Sequence, residues 1–331
     1  MNWLSDDAIS RLQAANAMAD FAGTRYRLIE CVGSGGMGVV YLAEDSVLGR
    51  RVALKILDLP DVPGEFAARL LREAHILARL EHPGIVPVHD AGVLAGGRAF
   101  YAMKFVEGQR LDRLSEKQNT LSTRLSIFQR ICDTVAFAHA HGVLHRDLKP
   151  PNIMVGPFGE VLVMDWGVAK ILGRIQSSSS GPVAVESLAP ASDPLLASPA
   201  KTAHGAIIGT PGYMAPEQAR GDIESLDERS DIFSLGAILQ FLLANPAHQN
   251  VSRPLAAIAR KAMAANPEDR YTSASALGQD VACYLDGLPV SAYPENILRK
   301  VARWAPRHRV AIALVLTYLV VRAVLILWAR R

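Results

Sequence analysis

A glycine-rich run, Gly33-Ser34-Gly35-Gly36-Met37-Gly38, is followed at once by Val39-Val40-Tyr41-Leu42, and this order constrains the fold more than any other feature of the chain. Glycines at this spacing let backbone N–H groups approach phosphate oxygens, because no Cβ stands in the way. In dinucleotide-binding folds such a run opens a helix. Here the β-branched and aromatic residues after it read as an extended strand. Tyr26 to Ile29 reads as the strand before it, and Val52-Ala53-Leu54-Lys55 supplies a further strand carrying a lysine. Strand, glycine loop, strand and lysine together describe a lid over phosphates. A plain hairpin with glycines at its turn is the simpler alternative.

The 331 residues are enough for one large core or two coupled lobes. A formal charge of +3 is too small to argue for nucleic acid as a partner. Half the residues are hydrophobic, a share raised by one apolar stretch near the C-terminus. The cysteines, Cys31, Cys132 and Cys283, are far apart and lack metal-ligand spacing, which fits a reducing compartment and argues against a disulfide framework or zinc site. No basic segment followed by an apolar core opens the chain, so no signal peptide is expected.

His145-Arg146-Asp147-Leu148-Lys149-Pro150-Pro151-Asn152 puts a carboxylate, an ammonium and an amide on one short loop. That set suits phosphoryl transfer. Asp147 can accept the proton of an attacking hydroxyl, Lys149 can neutralise charge on the transferring group, and Asn152 can hold a magnesium ion. Asp165-Trp166-Gly167 and Ala215-Pro216-Glu217 follow downstream. In order and rough spacing these segments match the protein-kinase signature set. From roughly Tyr26 to Tyr284 the chain resembles the eukaryotic-like Ser/Thr protein kinases of bacteria.

The resemblance implies an α+β bilobal fold. A small β-rich lobe over 26–106 would follow an N-terminal extension, 1–25, and a mainly helical lobe would occupy 107–285. ATP would lie between the lobes. Its expected contacts are Gly33, Ser34, Gly35, Gly36, Met37, Gly38, Val40, Ala53 and Lys55 above, Met154 below, and Met103, Lys104 and Val106 at the hinge. Met103 is the expected gatekeeper, and the backbone of Lys104 and Val106 would bond adenine. Phe66 to Leu80 has apolar residues at helical spacing, and the resemblance pairs Glu73 on this helix with Lys55. Magnesium would be held by Asn152 and Asp165, and Asp147 and Lys149 would be catalytic. Trp166 stands where the family usually has phenylalanine; a large aromatic still fills the slot. Glu217 is expected to pair with Arg270, and Asp231 to bond the catalytic-loop backbone. Lys149 and Gly209-Thr210-Pro211 look like the Ser/Thr-specific branch, with protein Ser/Thr hydroxyls as substrates.

Arg146, just before Asp147, implies control by phosphorylation of the activation loop, about 168–209. That stretch is rich in serine and proline (Ser177 to Ser180, Pro182, Pro190, Pro194, Pro199) and cannot bury a core. A passive linker is the plainer reading. After Leu243 the family normally carries a further helix; here Ala244 to Asn250 leads almost directly to Pro254. That shortening bears on protein-substrate docking and keeps open a pseudokinase scaffold that binds nucleotide or partners without turnover. The resemblance also allows a homodimer that phosphorylates itself in trans.

Residues 310–328 are nearly all apolar, interrupted by Arg322. At 1.5 Å per residue they would span about 28 Å, close to a hydrocarbon core of about 30 Å. Arg322 opposes insertion by about 3 kcal/mol, and the Val, Ile and Leu residues each favour it by about 0.3–0.6 kcal/mol. A transmembrane helix is therefore expected. The basic segment before it, 286–309, places the kinase domain on the cytoplasmic side. Residues 329–331 would form a short tail, so no external sensor domain is expected. The alternatives are a helix buried against the kinase or a parallel dimer.

Overall fold

The computed structural model describes residues 21, 23–35, 38–56, 65–94, 97–114, 120–166, 170–171, 212–221, 226–244 and 251–294, with scattered positions between 313 and 328. The small lobe is a five-stranded antiparallel sheet in the order β1-β2-β3-β5-β4. Its strands are β1 (Tyr26–Gly35), β2 (Gly38–Asp45), β3 (Arg50–Ile56), β4 (Val88–Val93) and β5 (Ala99–Lys104). Helix α1 (Glu65–Arg79) packs on β4 and β5. The central strands β3 and β5 are buried on both faces, and the two faces feed different cores. Phe100 and Ala102 join Val52, Leu54 and Tyr41 on one side, whereas Ala99, Tyr101 and Met103 join Ala53 and the α1 residues Leu70, Ala74 and Leu77 on the other. This period of two sends Lys55, two residues after Ala53, toward α1 as well.

The larger lobe contains β6 (Gln109–Arg110), α2 (Leu121–Ala140), β7 (Val143–Leu144), β8 (Ile153–Val155), β9 (Val161–Val163), β10 (Lys170–Ile171), α3 (Pro216–Ala219), α4 (Glu228–Leu243), α5 (Arg253–Ala262) and α6 (Ala274–Leu285). Helix α2 is the central post, packed on α4, α6 and β9. Its start is capped by Thr120, whose Oγ1 accepts the Thr123 N–H at 3.2 Å. It stops at Gly142, whose φ of 72° suits a left-handed helix end. The chain then enters β7, and the candidate catalytic loop runs from there to β8. Helix α4 is capped by Asp227 and α6 by Ser273, each accepting a first-turn N–H. Gly236 lets α5 press directly on α4, because a Cβ there would stand 2.8 Å from the Ala262 Cβ.

The expected helix over Phe66 to Leu80 and the expected strands around 153–155 and 161–164 are present within a residue of their anticipated ends. The first strand runs further than Tyr26 to Ile29, reaching Gly35, because β2 pairs with it through the glycines, as Gly35 opposite Gly38. The segment between α4 and α5, where the shortening after Leu243 is expected, lies mostly outside the described residues. No described helix is long and apolar enough to cross a membrane. Most of 310–328 lies outside the described residues, so no continuous apolar helix is defined; Leu314, Tyr318, Leu319, Val321 and Trp328 are helical and exposed. Apart from Lys170 and Ile171, the activation loop lies outside the described residues, as do Gly36 and Met37.

Candidate active site

Lys55 is the hub of the site. It rises from β3, 4% exposed, directly across from Tyr101 on β5. Its Nζ donates to Glu73 Oε1 at 2.9 Å and Oε2 at 3.0 Å, and to Asp165 Oδ1 at 2.8 Å. Glu73 reaches inward because it shares the sheet-facing stripe of α1 with Leu70 and Leu77, at helical spacing. Burial lowers the Lys55 ammonium's affinity for its proton, but Glu73 and Asp165 outweigh that, so its pKa is raised overall. For Asp165, loss of water raises the carboxyl pKa, and Lys55, with His145 and Lys149, reverses this to a net lowering. Both groups therefore stay charged at neutral pH. The Asp165 side chain remains half exposed, open toward the space between the lobes.

The catalytic loop is held from below by one buried carboxylate. Asp231, near the start of α4, accepts the backbone N–H of His145 through Oδ2 and of Arg146 through Oδ1, both at 2.8 Å. His139 of α2 donates to the same Oδ2 at 2.8 Å. Burial pushes the Asp231 pKa up, and the His139 hydrogen bond, the nearby histidines and the backbone N–H groups bring it below the ordinary value. Asp147 then projects from the loop. Lys149 Nζ lies 2.7 Å from its Oδ2, and Asn152 Nδ2 donates to its backbone carbonyl at 2.9 Å. With its amide nitrogen so committed, Asn152 has its carbonyl oxygen to offer a cation.

Among the described residues two that are not glycine have left-handed backbone, Arg146 (φ 70°) and Asp165 (φ 65°), at the ends of the two segments that meet here. Such conformations persist only when the surroundings enforce them. Arg146 is enforced from both sides: Asp231 takes its N–H, and Gln218 Nε2 donates to its carbonyl at 2.9 Å. Asp165 is enforced by its neighbour. Trp166 is 1% exposed, its Nε1 donates to the Val163 carbonyl at 3.1 Å, and its ring packs on His145 with centroids 4.6 Å apart. His145 in turn donates from Nε2 to the Met164 carbonyl at 2.9 Å. Glu217 and Arg270 form the expected buried pair, with contacts of 2.7 and 2.9 Å, and Ser230 Oγ also donates to Glu217.

The remaining expected nucleotide contacts lie on the small-lobe sheet, on β8 and at the hinge. Val40, opposite Lys55, and Ala53, opposite Met103, lie on adjoining strands of the small lobe, and Gly33, Ser34, Gly35 and Gly38 form the end of the β1–β2 ribbon. Met154 lies on β8, opposite Leu162. At the hinge, the Lys104 N–H is taken by the Pro87 carbonyl at 3.1 Å, so Lys104 could meet an adenine amino group only with its own carbonyl. Among the described residues no three His, Cys, Asp or Glu side chains form a metal cage. Magnesium takes one or two protein oxygens and completes its shell with phosphates and water, and Asn152 and Asp165 are the candidates to supply them. Sequence reading missed Tyr101, Gln218 and His139. Gln218 could have been found by its place right after Ala215-Pro216-Glu217; the other two needed the packing.

The protein kinase domain model matches residues 26–313. Serine/threonine-protein kinase PknD of Chlamydia felis is 36% identical over 330 residues, covering 87% of this chain and 34% of the relative. PknD of Chlamydia trachomatis serovar L2b is 38% identical over 318 residues, covering 83% of this chain and 33% of the relative. The chain thus spans about a third of the length of these curated relatives. The kinase domain of Mycobacterium tuberculosis PknI matches it in fold with a TM-score of 0.53 at 24% identity, covering 78% of this chain and 96% of that one. With most of its length matched, and with Lys55, Glu73 and Asp165 joined in one site, the chain belongs to the protein kinase domain family.

Proposed function

We propose that this protein transfers the γ-phosphoryl group of ATP to Ser or Thr hydroxyls of proteins. The observation that carries the reading is the Lys55 ammonium bridging Glu73 on α1 and Asp165 after β9, a link that joins the two lobes at a charged, half-open site. Lys55 would meet the α- and β-phosphates. Asp147 would orient the acceptor hydroxyl and take its proton as the oxygen attacks the γ-phosphorus. The bond to the β-phosphate oxygen then breaks and ADP leaves. Lys149, beside Asp147, would balance charge on the transferring group. Asn152 and Asp165 would hold magnesium, which when bound neutralises the phosphate oxygens. The names of the PknD relatives support serine and threonine as acceptors. A scaffold without turnover is the less favoured reading, because Lys55, Glu73, Asp147, Asn152 and Asp165 are all present and the pairs among them are made.

The test is incubation of the purified chain with radiolabelled ATP and magnesium, alone and with a generic basic protein. Label on serine or threonine supports the proposal; nucleotide binding with no label on either protein supports the scaffold.

Membrane attachment through 310–328 belongs to the same proposal and rests on the apolar run and its basic flank. The kinase domain would then face the cytoplasm, confined near membrane-bound substrates. Resistance of the full chain to alkaline carbonate extraction, lost on deletion of 310–331, is the expected result. Release of the intact chain with peripheral proteins would sink it.

A further inference from the structure

Glu73 has a second partner that the phosphoryl-transfer roles do not use. Tyr101 Oη donates to Glu73 Oε1 at 2.9 Å, on the same oxygen that takes Lys55. The register makes this so: Lys55 and Tyr101 are opposite one another on β3 and β5, on the face that meets α1. The tyrosine is 2% exposed, with the Lys55 Nζ 5.8 Å from its ring centroid. Burial, with Glu73 adding, pushes its hydroxyl pKa well above the usual value, so the hydroxyl remains a donor throughout the useful pH range.

An ammonium has three N–H donors. In this structure the Lys55 contacts, two to Glu73 and one to Asp165, match that number. To bind a nucleotide phosphate Lys55 must release at least one of them. A buried carboxylate that loses a partner carries a large desolvation cost. Glu73 is 4% exposed, so when a released bond is one of its own, the partner that remains decides whether α1 stays docked. We propose that Tyr101 is a positioning residue for the transfer reaction: its hydroxyl holds Glu73, and with it α1, while Lys55 turns its donors to the nucleotide. The inference rests on the kinase reading above.

Three variants test it: Tyr101→Phe, Glu73→Gln and the two combined. The phenylalanine variant removes one oxygen and keeps the packing. Its kcat should fall about tenfold, the size of one hydrogen bond to a charged group, with a smaller change in KM for ATP. The double variant should be no slower than Glu73→Gln alone. Amide exchange across Leu70–Arg79, with magnesium and a non-hydrolysable ATP analogue bound, should quicken in Tyr101→Phe and in Glu73→Gln alike. The proposal is overturned by an unchanged kcat, or by an equal loss in both backgrounds, which would mean Tyr101 acts only through the fold. A wild-type chain that transfers no phosphate would instead overturn the kinase reading, and the exchange data would still judge the link between Tyr101 and Glu73.

Discussion

Asp231 Oδ1 accepts the backbone N–H of Arg146 at 2.8 Å, and Arg146 sits there with a left-handed φ of 70°. The bond turns the arginine side chain into a buried position. Its Nε and Nη2 have no hydrogen-bond partner among the described residues. Burial lowers its pKa, only partly offset by Asp231, so a partner of opposite charge would relieve it. A phosphate carries about −1.5 to −2 charge and can be pinned by an arginine fork.

The chain should therefore acquire phosphate between Ser177 and Thr210 on incubation with ATP, detectable by mass spectrometry. Phosphatase treatment and Arg146→Gln should each lower activity, and neither should add to the other. A fully active enzyme with an unmodified loop would show that Arg146 reads no such charge.

Asp165→Asn should abolish turnover with the fold intact. The substitution keeps the shape but removes the charge that meets Lys55 at 2.8 Å and that would face a metal. A loss of about 10²–10³-fold or more in kcat is expected for one such electrostatic contact. Transfer at the wild-type rate in the folded variant would refute the assignment.

Arg270→Ala should destabilise the larger lobe strongly. Its guanidinium is fully buried and meets both oxygens of Glu217, which would be left as an uncompensated buried charge. The cost of such a break is about 3–5 kcal/mol, on the order of 10 °C in Tm. The paired change Glu217→Met with Arg270→Met should cost less than either residue's truncation. Thermal unfolding of the three variants decides it.

Acid should unfold the protein through the same carboxylates. Glu217, Asp231 and Asp165 are each opposed by burial yet held below their ordinary values, 4.5 for the glutamate and 3.8 for the aspartates. Groups with a lowered folded pKa contribute stability above the unfolded value and lose it as pH falls through the folded one. The urea midpoint should be flat near neutrality and drop below about pH 4.5. Glu217→Gln should be less stable at neutral pH and lose less on acidification. A midpoint that rises in acid would contradict the assignment.

Much of this protein was legible in local sequence. The glycine run before Val39-Val40-Tyr41, the lysine of β3 and the order of the loops around Asp147 and Asp165 each declare themselves within a few residues. Backbone preference and side-chain chemistry act at that range, so no distant contact is needed to read them. What meets what was decided elsewhere. Lys55 lies 18 positions from Glu73 and 110 from Asp165, and Glu73 lies 28 from Tyr101. Their meeting depends on the register of β3 against β5 and on the rotation of α1 over the sheet. A slip of one residue in that register would turn Tyr101 into the other core, where Phe100 now packs. The apolar pattern of β5 is the same on both faces, so only the assembled sheet shows which aromatic carries the hydroxyl toward the charge.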